Sequence, residues 1–204
     1  MSDYVALELK RNRGWPWPEE DWGNGPLFGE DGWCQSCGVP KRPQTGELHL
    51  QRKAMRPHGV WMPYWQYDIY CMSAEIAAVV SSRFNVDLRP VRWRGESPGD
   101  AFQLVIPTVG ESWFDHGLLR AKLSDKAGAP NKQCPDCKVW RWRPGAFAQA
   151  PEKSALDTLG GADVAASPEW FGVGHKAFRK SVMCRELAEL LQSASPRDFE
   201  ILEF

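Results

Sequence analysis

The chain has 204 residues, of which 43% are hydrophobic, and its formal net charge is −1. This length allows a real hydrophobic core, and we predict a single domain over residues 1–204. The nearly neutral charge argues against a general attraction to nucleic acid or to an anionic lipid surface. No apolar run is long enough for a membrane span, and the start of the chain lacks the basic and apolar regions of a signal peptide. We therefore expect a cytoplasmic protein that does not bind membranes.

Near the amino terminus, residues 3–9 alternate in polarity and predict a short strand. Residues 14–33 follow as a segment rich in tryptophan and proline, which we predict to be an irregular loop because prolines and glycines disfavour regular structure. Two interpretations of its tryptophans are open: the indoles cap the core from outside, or they form an acidic, aromatic docking surface, since tryptophan is enriched among interface anchors. The residues predicted for partner binding in the second interpretation are Trp15, Trp17, Glu19, Glu20, Asp21 and Trp22.

Two Cys-x-x-Cys pairs are the most specific feature of the sequence: Cys34 with Cys37, and Cys134 with Cys137. Two thiolates separated by two residues can face one point, and two such knuckles supply the four soft ligands of a closed structural zinc site. The pairs lie almost a hundred residues apart, whereas a compact zinc ribbon has roughly 15–20 residues between them. One shared zinc ion would therefore staple an early segment of the chain to a late one.

Other uses of the cysteine pairs are a redox motif, two disulfides or separate free thiols. A thioredoxin-like motif opens a helix after a strand, and Gly38, Pro40 and Pro135 disfavour a helix at either pair. Disulfides suit a secreted chain, for which the sequence has no signal. We predict a structural zinc ion bound by the four paired cysteines, and we interpret Cys71 and Cys184 as buried thiols.

A strand–helix–strand pattern occurs twice. The predicted elements are a strand at 67–72, a helix at 74–84 and a strand at 86–91, then a strand at 181–184, a helix at 185–194 and a strand at 198–204. The two helices align at a shift of 111 residues. The pattern predicts an α+β fold with a mixed or antiparallel sheet, two amphipathic helices and a zinc-knuckle staple. A duplicated unit, with copies at 34–100 and 134–204, is one interpretation of the repeat.

Functional motifs outside the cysteine pairs are weak. The strand after the second knuckle alternates tryptophan and arginine, which can grip single-stranded nucleic acid but more often forms one face of a sheet. The residues of that alternative, a zinc-ribbon-like nucleic-acid-binding protein, are Lys138, Trp140, Arg141, Trp142 and Arg143. We do not expect nucleic acid as the partner, because the rest of the charge distribution gives no support.

Catalytic signatures are missing from the sequence, which has no glycine-rich phosphate loop, nucleophile elbow or paired zinc histidines. The step Asp115–His116 is too common to indicate a catalytic site. A closed four-thiolate site leaves no open position for a substrate, so we do not expect an enzyme. A thiol enzyme or redox sensor that uses one cysteine pair remains an alternative hypothesis.

The order of these features resembles the double-CxxCG motif proteins, a family expanded as paralogues in myxobacteria, some of which are described as immunity proteins for swarming-inhibition toxins. The shared features are the early Cys34–Gly38 motif, the central strand–helix–strand, the second cysteine pair, and a tail that runs from Trp170 to a closing strand. Lys138 stands where the family has a second glycine. The resemblance implies a cytoplasmic immunity protein that binds and neutralises a cognate protein toxin.

Overall fold

Short strands joined by long connections make up most of this chain. The computed structural model describes residues 4–11, 13–14, 16–52, 55–121, 132–143, 149–172 and 176–204. The strands are β1 (Tyr4–Leu9), β2 (Trp17–Pro18), β3 (His49–Gln51), β4 (Val60–Trp61), β5 (Tyr70–Ser73), β6 (Asp87–Pro90), β7 (Arg92–Trp93), β8 (Ala101–Val105), β9 (Lys132–Gln133), β10 (Trp140–Trp142), β11 (Val164–Phe171), β12 (Phe178–Cys184) and β13 (Phe199–Leu202). The helices are α1 (Asn24–Phe28), α2 (Ala74–Arg83), α3 (His116–Ala121), α4 (Lys153–Asp157) and α5 (Arg185–Ala194), with a 3-10 turn at Asp21–Gly23.

The strands form three sheets. The largest has the order β13-β1-β12-β11-β10-β9, and its pairs are antiparallel except for β10 with β11. A second sheet, β4-β5-β8-β6, is antiparallel throughout. The third, β2-β3-β7, lies near the amino terminus and contains one parallel pair. The predicted α+β fold with mixed and antiparallel sheets is confirmed.

The helices α2 and α5 each contain ten residues, and they are related by the predicted shift of 111. Leu187, Ala188 and Leu191 bury one face of α5, because apolar residues recur there with helical spacing. In α2 only Ala77 and Val80 are buried. Helical spacing predicts that Ile76, Val79, Val80 and Phe84 share one face of the helix and pack together, but Val79 is 42% exposed, so that prediction is wrong for Val79.

The strands around the two helices also correspond. The strand β5 leads into α2 and pairs with β4 and β8, while β12 leads into α5 and pairs with β11 and β1. Met72 of β5 lies opposite Val60 and Phe102, and Met183 of β12 lies opposite Val164 and Val5, so the register repeats as well. The inner strands β8 and β1 lie outside the predicted units 34–100 and 134–204. In the chain β8 follows its helix α2, whereas β1 precedes every other element.

Residues in equivalent positions of the two units touch each other. The amide of Arg179 donates a hydrogen bond to Asp68 Oδ2 at 3.1 Å, and the hydroxyls of Tyr70 and Ser181 lie 3.2 Å apart. Both pairs are separated by 111 residues. The two units therefore contact each other at β5 and β12.

The main hydrophobic core lies where the two units meet. It includes side chains from β1, β5, β8 and β12 and the inner faces of α2 and α5. A second cluster surrounds Trp113, Trp142 and Phe171, beneath the six-stranded sheet. A third cluster holds Trp61 and Trp93 against the amino-terminal segments. Tryptophans of this sequence therefore pack extensively inside the fold.

Candidate metal centre

The first knuckle is a tight turn closed by backbone hydrogen bonds. The amide of Cys34 donates to the carbonyl of Val39 at 2.9 Å, and the amides of Cys37 and Gly38 donate back to the carbonyl of Cys34 at 3.2 and 2.7 Å. Because the turn reverses the chain within a few residues, both thiols of the pair project to the same side. The positive φ of Gly38, 74°, is a conformation that glycine adopts without steric cost.

The second knuckle repeats the first at a distance of 100 residues. The amide of Cys134 donates to the carbonyl of Val139 at 2.9 Å, and the amide of Lys138 donates to the carbonyl of Cys134 at 3.0 Å. Lys138 has a φ of 61°, so it takes the same left-handed conformation as Gly38 in the first knuckle. The Lys138 ammonium donates to the carbonyl of Pro135 at 2.5 Å, and Gln133 Nε2 donates to the carbonyl of Lys138 at 2.9 Å. These bonds hold the lysine in an unfavourable backbone conformation.

The two knuckles bring their four thiols together. Cys34 Sγ lies 3.8 Å from Cys134 Sγ, Cys37 Sγ lies 3.5 Å from Cys137 Sγ, and all four sulfurs lie within 4.8 Å of one another. A tetrahedral ion with metal–sulfur bonds of about 2.3 Å requires sulfurs about 3.8 Å apart. The arrangement therefore fits a four-coordinate metal ion, and the predicted meeting of the two pairs is confirmed.

Backbone amides supply positive potential at this sulfur cluster. The amides of Cys137 and Asp136 hydrogen bond to Cys134 Sγ and lower the pKa of Cys134 to about 6. Burial raises the pKa of the Cys37 and Cys137 thiols, against hydrogen bonds from the amides that follow each knuckle. Since metal ligation requires thiolates, such amide donors stabilise the form that binds a metal ion.

The surroundings of the cluster are mostly apolar. Three of the four cysteines are buried and Cys137 is half-buried, and they pack with Val39, Val139, Trp170 and Ala177. At the outer tips of the knuckles, the Ser36 hydroxyl donates a hydrogen bond to the Asp136 carboxylate. The two knuckles therefore touch each other at equivalent positions of the Cys-x-x-Cys pairs.

The predicted tryptophan-rich loop contains short regular elements: β2, the 3-10 turn and α1. Proline is tolerated at the edge strand β2 and in the first turn of α1, where it does not interrupt a backbone hydrogen bond. Trp17 stacks on Trp22 and Tyr64, with ring centroids 5.7 and 4.6 Å apart. Both tryptophans are half-buried. Trp15 lies outside the described residues.

The acidic members of this segment differ in exposure. Glu19 is half-buried and lies 3.7 Å from the guanidinium of Arg94, whereas Glu20 and Asp21 are exposed. The consecutive residues Glu20, Asp21 and Trp22 have φ values of 44°, 49° and 59°. Residues other than glycine rarely adopt this left-handed backbone conformation, and each such conformation costs about 1–3 kcal/mol. Strain of this kind collects at functional sites, and here it coincides with the predicted partner-binding residues.

A cluster of Ser112, His116 and Glu169 was not predicted, because 53 residues separate the histidine from the glutamate and no local pattern links them. It contains the residue types of a catalytic triad. However, His116 Nε2 lies within 3.4 Å of Ser112 Oγ and 3.2 Å of Glu169 Oε1, so one ring nitrogen faces both groups. A proton relay uses the two different ring nitrogens. Glu169 also accepts a hydrogen bond from the Trp113 amide, so the cluster anchors a loop.

The residues of the nucleic-acid alternative lie on β10 and beside it. Trp142 is 2% exposed and belongs to the core, while Trp140 is 38% exposed and stacks on it at 5.8 Å. Lys138 is exposed, and Arg141 and Arg143 are half-buried. The strand β10 therefore exposes one indole for stacking on a base, whereas a platform for single-stranded nucleic acid uses several aromatic side chains.

No family model, curated protein or solved structure matches this chain. The resemblance to the double-CxxCG motif proteins therefore rests on the order of the features and on the two cysteine pairs. Among the described residues, no helix has both the length and the apolar character needed to cross a membrane.

Proposed function

We propose that the protein is a cytoplasmic immunity protein that binds and neutralises a cognate protein toxin, with zinc as a structural staple and no catalytic activity of its own. The observation that supports this proposal most strongly is the sulfur cluster shared by two knuckles that lie 100 residues apart. A site with four protein ligands has no coordination position left for a substrate. Its role is to hold the two halves of a binding scaffold together.

Zinc is the metal that best fits this donor set. Four thiolates in a tetrahedral arrangement select zinc or iron–sulfur centres. Sulfur atoms 3.5 and 3.8 Å apart suit one ion, because a cluster of several metal atoms holds its cysteines farther apart. The buried, apolar surroundings also slow exchange with solvent. Elemental analysis of the purified protein should find about one zinc per chain, with four thiols protected from alkylation.

The partner surface in this proposal is the strained turn beside the stacked tryptophans. Glu20 and Asp21 expose two carboxylates next to Trp17 and Trp22. Aromatic residues with restricted rotamers are frequent anchors of protein interfaces, and exposed acids accelerate the capture of a basic partner. A toxin with a basic surface around an apolar anchor would match this combination.

The test uses the product of the neighbouring gene, since immunity genes are encoded beside their toxins. That protein should bind with nanomolar affinity and lose toxicity when this protein is present. The double variant Glu20→Lys/Asp21→Lys should weaken binding by about 30-fold or more, which corresponds to a hot-spot loss of about 2 kcal/mol. The matched control is Glu111→Lys/Glu189→Lys, which reverses two exposed acids outside this turn. Equal affinities of the two variants would exclude the turn as the partner surface, and absence of binding would exclude the proposed function.

A further inference from the structure

A cavity of about 620 Å³ lies between β1, the segment 62–70 and β12, and none of the four paired cysteines lines it. Its apolar walls include Leu7, Leu9, Met62 and Phe178. Volumes of about 300–1,000 Å³ with mostly apolar walls are typical of sites for small molecules. Tyr70 of β5 and Ser181 of β12 both line the cavity, so it lies between the two units, and small-molecule sites occur preferentially at such interfaces.

The polar groups of this cavity are few and lie close together. Tyr70 and Ser181, the equivalent residues of the two units, line it with hydroxyls 3.2 Å apart. The Tyr70 hydroxyl donates to the carbonyl of Leu7 at 2.6 Å, and burial raises the pKa of Tyr70. Both hydroxyls are therefore neutral at physiological pH, and this wall carries no charge.

Charge in the lining is unbalanced in favour of cations. Glu8 lines the cavity, but its carboxylate accepts a hydrogen bond at 2.9 Å from Lys180, a lysine of the neighbouring strand. Two further lysines, Lys10 and Lys176, line the cavity. The ammonium of Lys176 lies 3.6 Å from the ring centre of Trp65. Trp65 itself has a φ of 64°, so a strained residue holds this indole at the cavity wall.

We propose that this cavity binds a small amphipathic carboxylic acid, an acyl or aryl acid, whose apolar body packs between Leu7, Met62 and Phe178 and whose carboxylate pairs with Lys10 and Lys176. The excess of ammonium groups selects an anion over a neutral or cationic ligand of the same length. The cavity adjoins the strained turn, because the Lys176 ammonium also lies 5.9 Å from the ring centre of Trp22. Neither Glu20 nor Asp21 lines it, so binding of a small acid here does not require the proposed function.

The experiment is calorimetric titration of the full, metal-loaded chain with dodecanoate, with dodecan-1-ol and dodecylammonium as ligands of equal chain length. Dodecanoate should bind at one site, about tenfold more tightly than the alcohol, as expected for a hydrogen bond to a charged group. Dodecylammonium should bind more weakly than either. Equal affinity for all three ligands, or no binding of dodecanoate, would overturn the proposal.

Two variants separate the charge from the cavity. Lys176→Gln should weaken dodecanoate about tenfold and leave the alcohol unchanged, while Lys153→Gln, an exposed lysine outside the lining, is the matched control. Leu9→Trp should fill the cavity and abolish binding of every ligand, with zinc content and thermal unfolding used to show that the variant is folded. Binding that survives Leu9→Trp would overturn the assignment to this cavity. If the parent protein does not bind dodecanoate and Leu9→Trp loses affinity for the toxin, the cavity is assigned to the protein partner instead.

Discussion

The sulfur cluster should contribute a large share of the stability of this protein, and Cys37→Ser tests that contribution. Cys34 and Cys134 are 100 residues apart, so a metal ion that joins the knuckles closes a loop of that size. A covalent cross-link across about 100 residues removes unfolded-chain entropy equivalent to about 4.7 kcal/mol. The total stability of a domain is about 5–15 kcal/mol. Loss of one ligand should therefore lower the free energy of unfolding by about 4 kcal/mol.

The assay is urea unfolding followed by tryptophan fluorescence, with zinc content measured in parallel. The matched control is Cys184→Ser, because Cys184 is a half-buried thiol outside the sulfur cluster. We expect this control to keep its zinc and to lose less than about 1.5 kcal/mol. A strong chelator added to the parent protein should reproduce the effect of Cys37→Ser. A free energy of unfolding of Cys37→Ser within about 1 kcal/mol of the parent value would refute this contribution, as would a urea midpoint that chelation leaves unchanged.

Two other variants test the backbone conformation of the second knuckle and the ion pairs of Asp198. Lys138→Gly should raise the free energy of unfolding by about 1 kcal/mol in the same urea assay, because glycine adopts the positive φ without the steric cost of a side chain; a lower value would show that the lysine bond to Pro135 outweighs the strain. Burial opposes the ionised form of Asp198, but hydrogen bonds and charges from Arg13 and Arg11 outweigh it and hold its pKa below the ordinary value. Such a group stabilises the fold above its unfolded pKa of about 3.9, and this contribution is lost as the pH falls through the lower folded pKa. Asp198→Asn should therefore cost about 1.5–3 kcal/mol near pH 7 and lose less stability than the parent on acidification, whereas parallel pH profiles would contradict the ion-pair argument.

Local features of the sequence were sufficient for several parts of this structure. The bounds of α2 and α5 follow closely from apolar residues at helical spacing, and Pro196 comes shortly after the second helix. Ser73 precedes the first helix, but its side chain makes no capping hydrogen bond. The strand β1 follows from alternation over a few residues. The two cysteine pairs identify the candidate metal ligands, because a knuckle of two thiols is a local structure and two knuckles supply the donor set of a closed zinc site. The exposure of Val79 was not predictable in this way, since the face that α2 buries depends on what packs against it.

The positions of β1 and β8 were decided by the tertiary structure. Each completes the sheet of its unit from outside the predicted range, and pairing over such distances is selected by packing rather than by local propensity. The same holds for the hydroxyls of Tyr70 and Ser181, which meet only because the units face each other. The apolar cavity and its two lysines are also products of this assembly. Sequence alone therefore identified the candidate metal-binding cysteines and the two helices, whereas the closeness of residues far apart in the chain depends on the burial of apolar surface by the whole fold, which no local pattern encodes.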